Sequence, residues 1–397
     1  MRSACNLLNC NILRSLGDPQ SELFLLTVPD NLNLGPIANS LSILAGVVNV
    51  EVDQQASVSQ TTRSIPASLY QNDPVTYFGS SSRFGYVFQP ATQIIRLHDT
   101  HRNFPVRGAC VVAIIDTGVD PDHPTLSNVL LPGYDFTRNK SSGSEKADLE
   151  QSTAAVVDGS SAFFVNSDTA ALLDQSTAAV VDDPERSALG HGTMVAGIIH
   201  LVAPQVRILP LKSFGADGSG YMSDILRAVY TAVRSDAAVI NMSFSMPTGS
   251  RELQRALSHA ASANIVCVAS AGNQGSSVAR NPAAFPDVIA VASTDNFDIR
   301  SEFSNFGSNW VYVAAPGEGI LTTYPFGTFA ASWGTSFSTP FVSAAVALLL
   351  DANPALSRQN VWTAISAARQ VGAELGHGRL DIFQAVYRAT DPLTVAY

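Results

Sequence analysis

From about Pro90 onward the chain alternates two kinds of hydrophobic pattern. ACVVAIID, VRILPLK, AAVINMSFS, NIVCVAS, DVIAVAS and WVYVAAPG are near-continuous apolar runs, the pattern of strands buried on both faces. Between them, SDILRAVYTAVRSD and SRELQRALSHAASA repeat their apolar positions at helical spacing. Doubly buried strands separated by helices predict an α/β fold, a mostly parallel central sheet with helices on both faces. Sites in such sheets form at the carboxyl ends of the strands. Ahead of this region, SELFLLTVPD reads as a strand, NLGPIANSLSILAG as a helix and VVNVEVD as an alternating strand, a small α+β unit over residues 1–58. Residues 59–89, rich in Ser, Thr, Pro, Tyr and Gly, read as a linker. The main region runs over 90–390.

An insert at 140–185 interrupts the strand–helix rhythm. QSTAAVVD occurs at Gln151–Asp158 and again at Gln175–Asp182. Two copies fall short of the roughly three that a free-standing solenoid needs. The insert reads as a local duplication forming a surface extension, or as an edge of a substrate cleft.

Composition narrows the classes. Of 397 residues, 46% are hydrophobic and 14% charged, enough apolar material for a large core and against global disorder. The net charge of −10, without a basic run to track phosphates, argues against nucleic acid as a partner. The longest apolar runs, such as FVSAAVALLL, reach about half of the ~18 residues of a membrane span, so none is expected. MRSACNLLNC has neither a long apolar core nor a small-residue cleavage site, so no secretory signal is expected there. Cys110 and Cys267 lie in apolar runs and read as buried free thiols. Cys5 and Cys10 are compatible with a local disulfide, half a metal site or two free thiols.

Four polar residues sit where apolar patterns end. Asp116 closes the buried run ACVVAIID, where an acid is costly unless hydrogen-bonded. His191 lies between two glycines in LGHGTMVAGIIH, at the start of a helical run. His123, in the Pro-flanked turn DPDHP, is the nearer rival base. Asn273 follows the strand NIVCVAS in a Gly-rich turn, from which its side-chain N–H groups can reach a developing oxyanion. Ser336, in WGTSFSTP, begins the last long helix and is either its cap or a nucleophile. Taken singly, each also reads as a turn or cap residue.

In their order along the chain, IIDTGVD, GHGTMVAG, SAGNQG and GTSFSTP resemble the four signature blocks of the subtilisin-like serine proteases (subtilases). The likeness extends over about Pro90–Ala389, including NPAAFPDVIAVAS and GHGRLD. It implies a subtilisin-like three-layer sandwich and a serine endopeptidase working through an acyl-enzyme. Asp116, His191 and Ser336 would form the triad, and Asn273 would supply the oxyanion hole. Gly218, Ser219 and Gly220 would pair with the substrate backbone. Ser243, Phe244 and Ser245 would form one wall of the S1 pocket, and Ser270, Ala271 and Gly272 the other. Ser245 and Met246 stand where the family usually has two glycines, which predicts a narrower pocket. Arg280 falls near the pocket floor, where it would favour acidic or aromatic P1 residues or else point to solvent.

The resemblance also implies protein or peptide substrates and no required cofactor. Many relatives bind calcium in a loop inserted after the catalytic histidine; GHGTMVAGIIHLVAPQVRILPLK runs straight through, so that site is expected to be absent, with a weaker calcium site elsewhere left open. The 1–58 unit is similar in pattern to the family's inhibitor-like prodomain, a partner of its own catalytic part, and 59–89 would then hold the processing point. The family favours secretion. A binding protein on a protease scaffold, or a peptide-maturing enzyme that transfers the acyl group to an amine, are the competing functions.

Overall fold

The computed structural model describes residues 10–20, 22–28, 34–44, 47–53, 55–57, 66–108, 110–148, 163–164, 171–172 and 188–390. The apolar runs become six strands: β1 (Val111–Asp116), β2 (Arg207–Lys212), β3 (Val239–Met242), β4 (Val266–Ser270), β5 (Val288–Thr294) and β6 (Val313–Pro316). They lie in the order β6-β5-β4-β3-β1-β2, and every adjacent pair is parallel. Beyond β2, Tyr134–Asp135 and Lys140–Ser141 extend the edge.

Alternate residues of each strand enter two separate cores, which is why the runs lack a polar face. Val112 and Ile114 of β1, with Val268 and Ile289, pack with helices α1 (His191–Val202) and α4 (Thr335–Ala352). Val111, Ala113 and Ile115, with Ile240 and Cys267, pack with α2 (Met222–Arg234) and α3 (Arg251–Ser262). The result is the expected three layers. The central helix α4 is longer than its apolar core FVSAAVALLL suggests. Its 18 residues and mean hydropathy of 1.3 would suit a membrane crossing, but 89% of it is buried inside the protein.

Three expectations need correction. The linker assigned to 59–89 is folded from Pro66 onward. It forms a turn at Ala67–Tyr70, a hairpin of Pro74–Tyr77 with Ser80–Arg83 and short helices at Phe84–Val87 and Pro90–Ile94. Leu69, Tyr77, Tyr86 and Val87 belong to the core around α1. A Ser-rich composition hid this, because Ser80 and Ser82 are themselves buried. The Tyr77 and Tyr86 hydroxyls donate to the carbonyls of Leu201 and Gly197, both at 2.6 Å, and His101 Nε2 to that of Val202 at 2.8 Å. Leu201 and Val202 lie in the last turn of α1, where carbonyls lack intrahelical partners, and Gly197 lies in mid-helix.

Second, in the N-terminal unit, Asn11–Ser15 and Phe24–Thr27 form an antiparallel pair, and Leu34–Ser42 is the expected helix. VVNVEVD is not a strand. Its acids act as helix caps instead: Asp53 accepts from Ser223 N (2.9 Å) and Ser223 Oγ (2.7 Å) at the start of α2, and Glu51 from Arg251 N (2.8 Å) and Ser250 Oγ (2.6 Å) at the start of α3. Third, Ser336 is not a helix cap; Gly334 is the N-cap of α4. Cys10 is disulfide-bonded, while Cys110 and Cys267 are free thiols, and burial pushes each up to about 12. Cys5 and both QSTAAVVD copies lie outside the described residues.

Candidate active site

The strand order reverses direction at β1, which has β2 on one side and β3 on the other. Asp116 ends β1, and Ser243 follows β3 directly. These carboxyl ends lie side by side at the switch point, where open α/β sheets leave a crevice. Two helices begin beside it: α1 at His191 and α4 at Thr335, followed by Ser336.

Asp116 and His191 are essentially inaccessible, at 1% and 0% exposure. His191 Nδ1 lies 2.7 Å from Asp116 Oδ1, which also accepts from Thr117 N at 2.7 Å. Donation from Nδ1 leaves Nε2 as the basic nitrogen, and among the described residues Nε2 has no hydrogen-bond partner. The rival His123 is committed elsewhere. Its Nε2 donates to Thr328 O at 2.9 Å and its Nδ1 accepts from Thr125 N at 3.2 Å, while burial lowers its pKa.

Ser336 occupies the first turn of α4, 5.3 Å separating the ring of its neighbour Phe337 from that of His191. It exchanges two bonds with Ser243: Ser336 Oγ donates to Ser243 O at 3.0 Å, and Ser243 Oγ to Ser336 O at 2.8 Å. The second bond has a local cause. Pro340 lies inside α4, beyond the turn of free N–H positions, and lacks the N–H that would bond Ser336 O. The Ser243 hydroxyl takes that role, and itself accepts from Asn241 Nδ2 at 2.9 Å.

Asn273 is oriented through its oxygen: Oδ1 accepts from Thr335 N (2.9 Å) and Thr335 Oγ1 (2.8 Å). Its amide nitrogen therefore faces the Gly334–Ser336 turn. A Cβ at Gly334, whose φ is +145°, would stand 3.2 Å from that nitrogen.

The other expected site residues fall along two edges. Ser219–Tyr221 is a short strand that pairs antiparallel with Gln55–Ser57 of the N-terminal unit, Ser219 opposite Ser57 and Gly220 opposite Ala56. Gly218 precedes it in a turn closed onto Gly215 O. Across the site, Ser243–Ser245 and Ser270–Gly272 are joined where Ser270 Oγ donates to Phe244 O at 3.2 Å. Phe244 is buried against Phe214, and Ala271 is fully buried. Met246 is 1% exposed and packs into the α2–α3 core, so any narrowing of the pocket falls to Ser245 alone. Arg280 lies alongside Gly272, its Cγ 3.3 Å from where a Cβ would stand, with Nε buried and without a partner among the described residues.

Sequence patterns missed the residues that orient these groups. Thr335 holds Asn273, Thr117 Oγ1 accepts from Gly192 N at 3.0 Å, and Glu145 is bonded to Gly190 N and Thr193. Thr117 and Thr335 are adjacent to Asp116 and Ser336, a signal that was available. Glu145 lies far from any motif. Among the described residues no group of three or more His, Cys, Asp or Glu side chains converges to hold a metal ion. The chain passes from α1 to β2 in four residues.

Comparison with known proteins gives a consistent picture. The model of the subtilase family, Peptidase_S8, matches residues 108–378. The thermophilic serine proteinase of Bacillus sp. (strain AK1) is 33% identical over 287 residues, 69% of this chain; the match spans only 61% of that protein. Thermitase of Thermoactinomyces vulgaris is 32% identical over 289 residues, 69% of this chain and 88% of thermitase. Among solved structures, a cold-adapted subtilisin-like serine proteinase aligns with a TM-score of 0.55 and 26% identity, covering 70% of this chain and 90% of that one.

Proposed function

Since this chain belongs to the subtilase family of serine-type endopeptidases, we propose that it hydrolyses peptide bonds through an acyl-enzyme on Ser336, with His191 as base and Asp116 as its orienting acid. The observation that carries the assignment is the buried 2.7 Å contact between Asp116 Oδ1 and His191 Nδ1, with Nε2 unpaired among the described residues and the imidazole 5.3 Å from the ring of Phe337, the residue after Ser336. In the reaction the Ser336 hydroxyl leaves the Ser243 carbonyl and turns to Nε2, which accepts its proton as Oγ attacks the scissile carbonyl. Asp116 stabilises the imidazolium, which then protonates the leaving amine. Asn273 Nδ2 and the Ser336 backbone N–H receive the oxyanion. Losing one such donor costs roughly 100–1,000-fold in kcat, a magnitude that comes from a subtilisin and not from this structure.

The substrate is an extended peptide adding beside Ser219–Tyr221, a strand able to bond main chain whatever the side chains. Arg280, beside Gly272, would then favour an acidic or aromatic P1 residue. A peptide-library profile unchanged by Arg280→Ala would remove that assignment. We assign the N-terminal unit as a prodomain cut from its own chain. Support comes from Gln55–Ser57, which occupies the same edge, and from Glu51 and Asp53, which cap α3 and α2.

The test is fluorophosphonate labelling of purified wild type and Ser336→Ala, read by gel and intact mass. Expected are labelling that vanishes in the variant and shortening by about the N-terminal unit in wild type only. A folded chain that takes no label contradicts the catalytic reading. One that labels without shortening contradicts self-processing alone. Mass spectrometry of the products separates hydrolysis from acyl transfer to an amine.

A further inference from the structure

The helix that carries His191 has no cap of its own. Its N-cap is Gly190, at φ +88°, and no side chain of the adjoining residues caps it. The cap comes from Glu145, 45 residues earlier. Glu145 Oε2 accepts from Gly190 N at 2.9 Å, and Oε1 is hydrogen-bonded to the Thr193 hydroxyl, so one carboxyl group spans the turn on which His191 sits. Thr193 Oγ1 also accepts from Asp120 N at 2.7 Å, and Gly192 N donates to Thr117 Oγ1. Glu145 thus braces the His191 turn at Gly190 and Thr193, and Thr193 and Gly192 in turn bond the loop that leaves Asp116.

The contact has little slack. A Cβ on Gly192 would stand 2.0 Å from Gly118 O, and one on Gly118 2.8 Å from Glu145 N, so the three segments meet main chain to main chain. The Glu145–Asp148 turn is also anchored on both flanks. Lys146 Nζ reaches Asp120 Oδ1 at 2.7 Å and Asp122 Oδ2 at 3.0 Å; Asp148 pairs with the buried Lys212 (2.8 Å) and with Arg138. Glu145 itself is 0% exposed. Burial pushes its pKa up to about 8, with hydrogen bonding to Thr193 and the charge of Lys212 opposing the shift and Asp120 adding to it; Tyr324 also faces it. An acid buried at such cost needs a reason beyond filling space.

We propose that Glu145 is a positioning residue for the reaction: it fixes the first turn of α1, and with it the His191 imidazole, against the Asp116 loop. This rests on the role given to His191 above. Glu145 touches neither the Ser219–Tyr221 edge nor the Ser243–Ser245 wall, so its loss should appear in kcat and not in KM.

The experiment is steady-state kinetics on a fluorogenic peptide with wild type, Glu145→Ala and Glu145→Gln, each checked by near-UV circular dichroism. Gln can accept from Gly190 N and donate to Thr193, keeping both contacts. Expected are a kcat at least tenfold lower in Glu145→Ala with KM within twofold, and recovery to within threefold of wild type in Glu145→Gln. A folded Glu145→Ala with wild-type kcat, a loss confined to KM, or a Gln variant as poor as Ala overturns the proposal. Should Glu145→Ala not fold, Thr193→Val against Thr193→Ser makes the same comparison, with Ser expected to retain kcat and Val to lose it. A wild type that neither turns over nor takes the fluorophosphonate overturns the reaction itself, and is distinguishable because no variant is then needed to see it.

Discussion

The bond between Ser243 Oγ and Ser336 O exists because Pro340 cannot supply an N–H, and this can be tested as a thermodynamic coupling. Ser243→Ala removes the hydroxyl from two buried partners at once, the Ser336 carbonyl and the Asn241 amide. Each buried polar group left unpaired costs about 1–3 kcal/mol, so the substitution should cost roughly 2–6 kcal/mol. In a Pro340→Ala background the restored N–H of residue 340 bonds Ser336 O, and only the Asn241 cost remains, about 1–3 kcal/mol. The predicted coupling is therefore about 1–3 kcal/mol, above the roughly 0.5 kcal/mol scatter of independent sites. The assay is urea unfolding of the four chains in a His191→Ala background, which silences autolysis. Penalties for Ser243→Ala that agree within about 0.5 kcal/mol in the two backgrounds would refute the reasoning.

Three further outcomes follow from charge and capping. Glu145 holds its proton in the folded state up to about pH 8 but releases it near 4.5 when unfolded, so its contribution is full below the lower value and is lost as pH rises through the upper. Relative to Glu145→Gln, wild type should lose on the order of 5 kcal/mol between pH 4.5 and 8; melting curves that run parallel over that range contradict this. His200 and His101 are kept neutral by burial, lowered to about 3 and about 4, so stability falls as pH drops below 6.5. His200→Asn should flatten that acid limb, by up to about 1.4 kcal/mol per pH unit, in urea midpoints measured from pH 7 to 4. Glu51→Ala and Asp53→Ala should each cost about 1 kcal/mol in a Ser336→Ala chain, and additively, since they cap different helices; a midpoint unmoved by either removes the capping role.

What the sequence made legible was whatever periodicity and local motifs encode. The six runs became β1 to β6 of the sheet because burial on both faces leaves no polar alternation to misread. Asp116, His191 and Ser336 could be singled out because each stands where such a pattern stops. The failures share a different cause. VVNVEVD alternates like a strand, yet Glu51 and Asp53 are used by helix ends 200 and 170 residues away, contacts that no window contains. The 66–89 stretch lacks a strong apolar signal because two tyrosines serve the carbonyls of α1 and two buried serines fill its hairpin. Ser336 resembled a cap because Gly334 carries no side chain to announce itself as one. Glu145 was invisible for the same reason as the acids of the N-terminal unit: its partners are brought to it only by the fold.

The Ser219–Tyr221 strand also bears on solubility. An exposed sheet edge attracts other chains indiscriminately, since main-chain groups carry no identity, and natural proteins normally blunt such edges. Here the edge is blunted twice: it is only three residues long, and Gln55–Ser57 covers it. An edge kept for substrate chains, as proposed above, carries a risk of self-association, most of all while the protein is newly made and concentrated. The covering segment comes from the same chain, and the edge is shielded from the moment the two parts fold together.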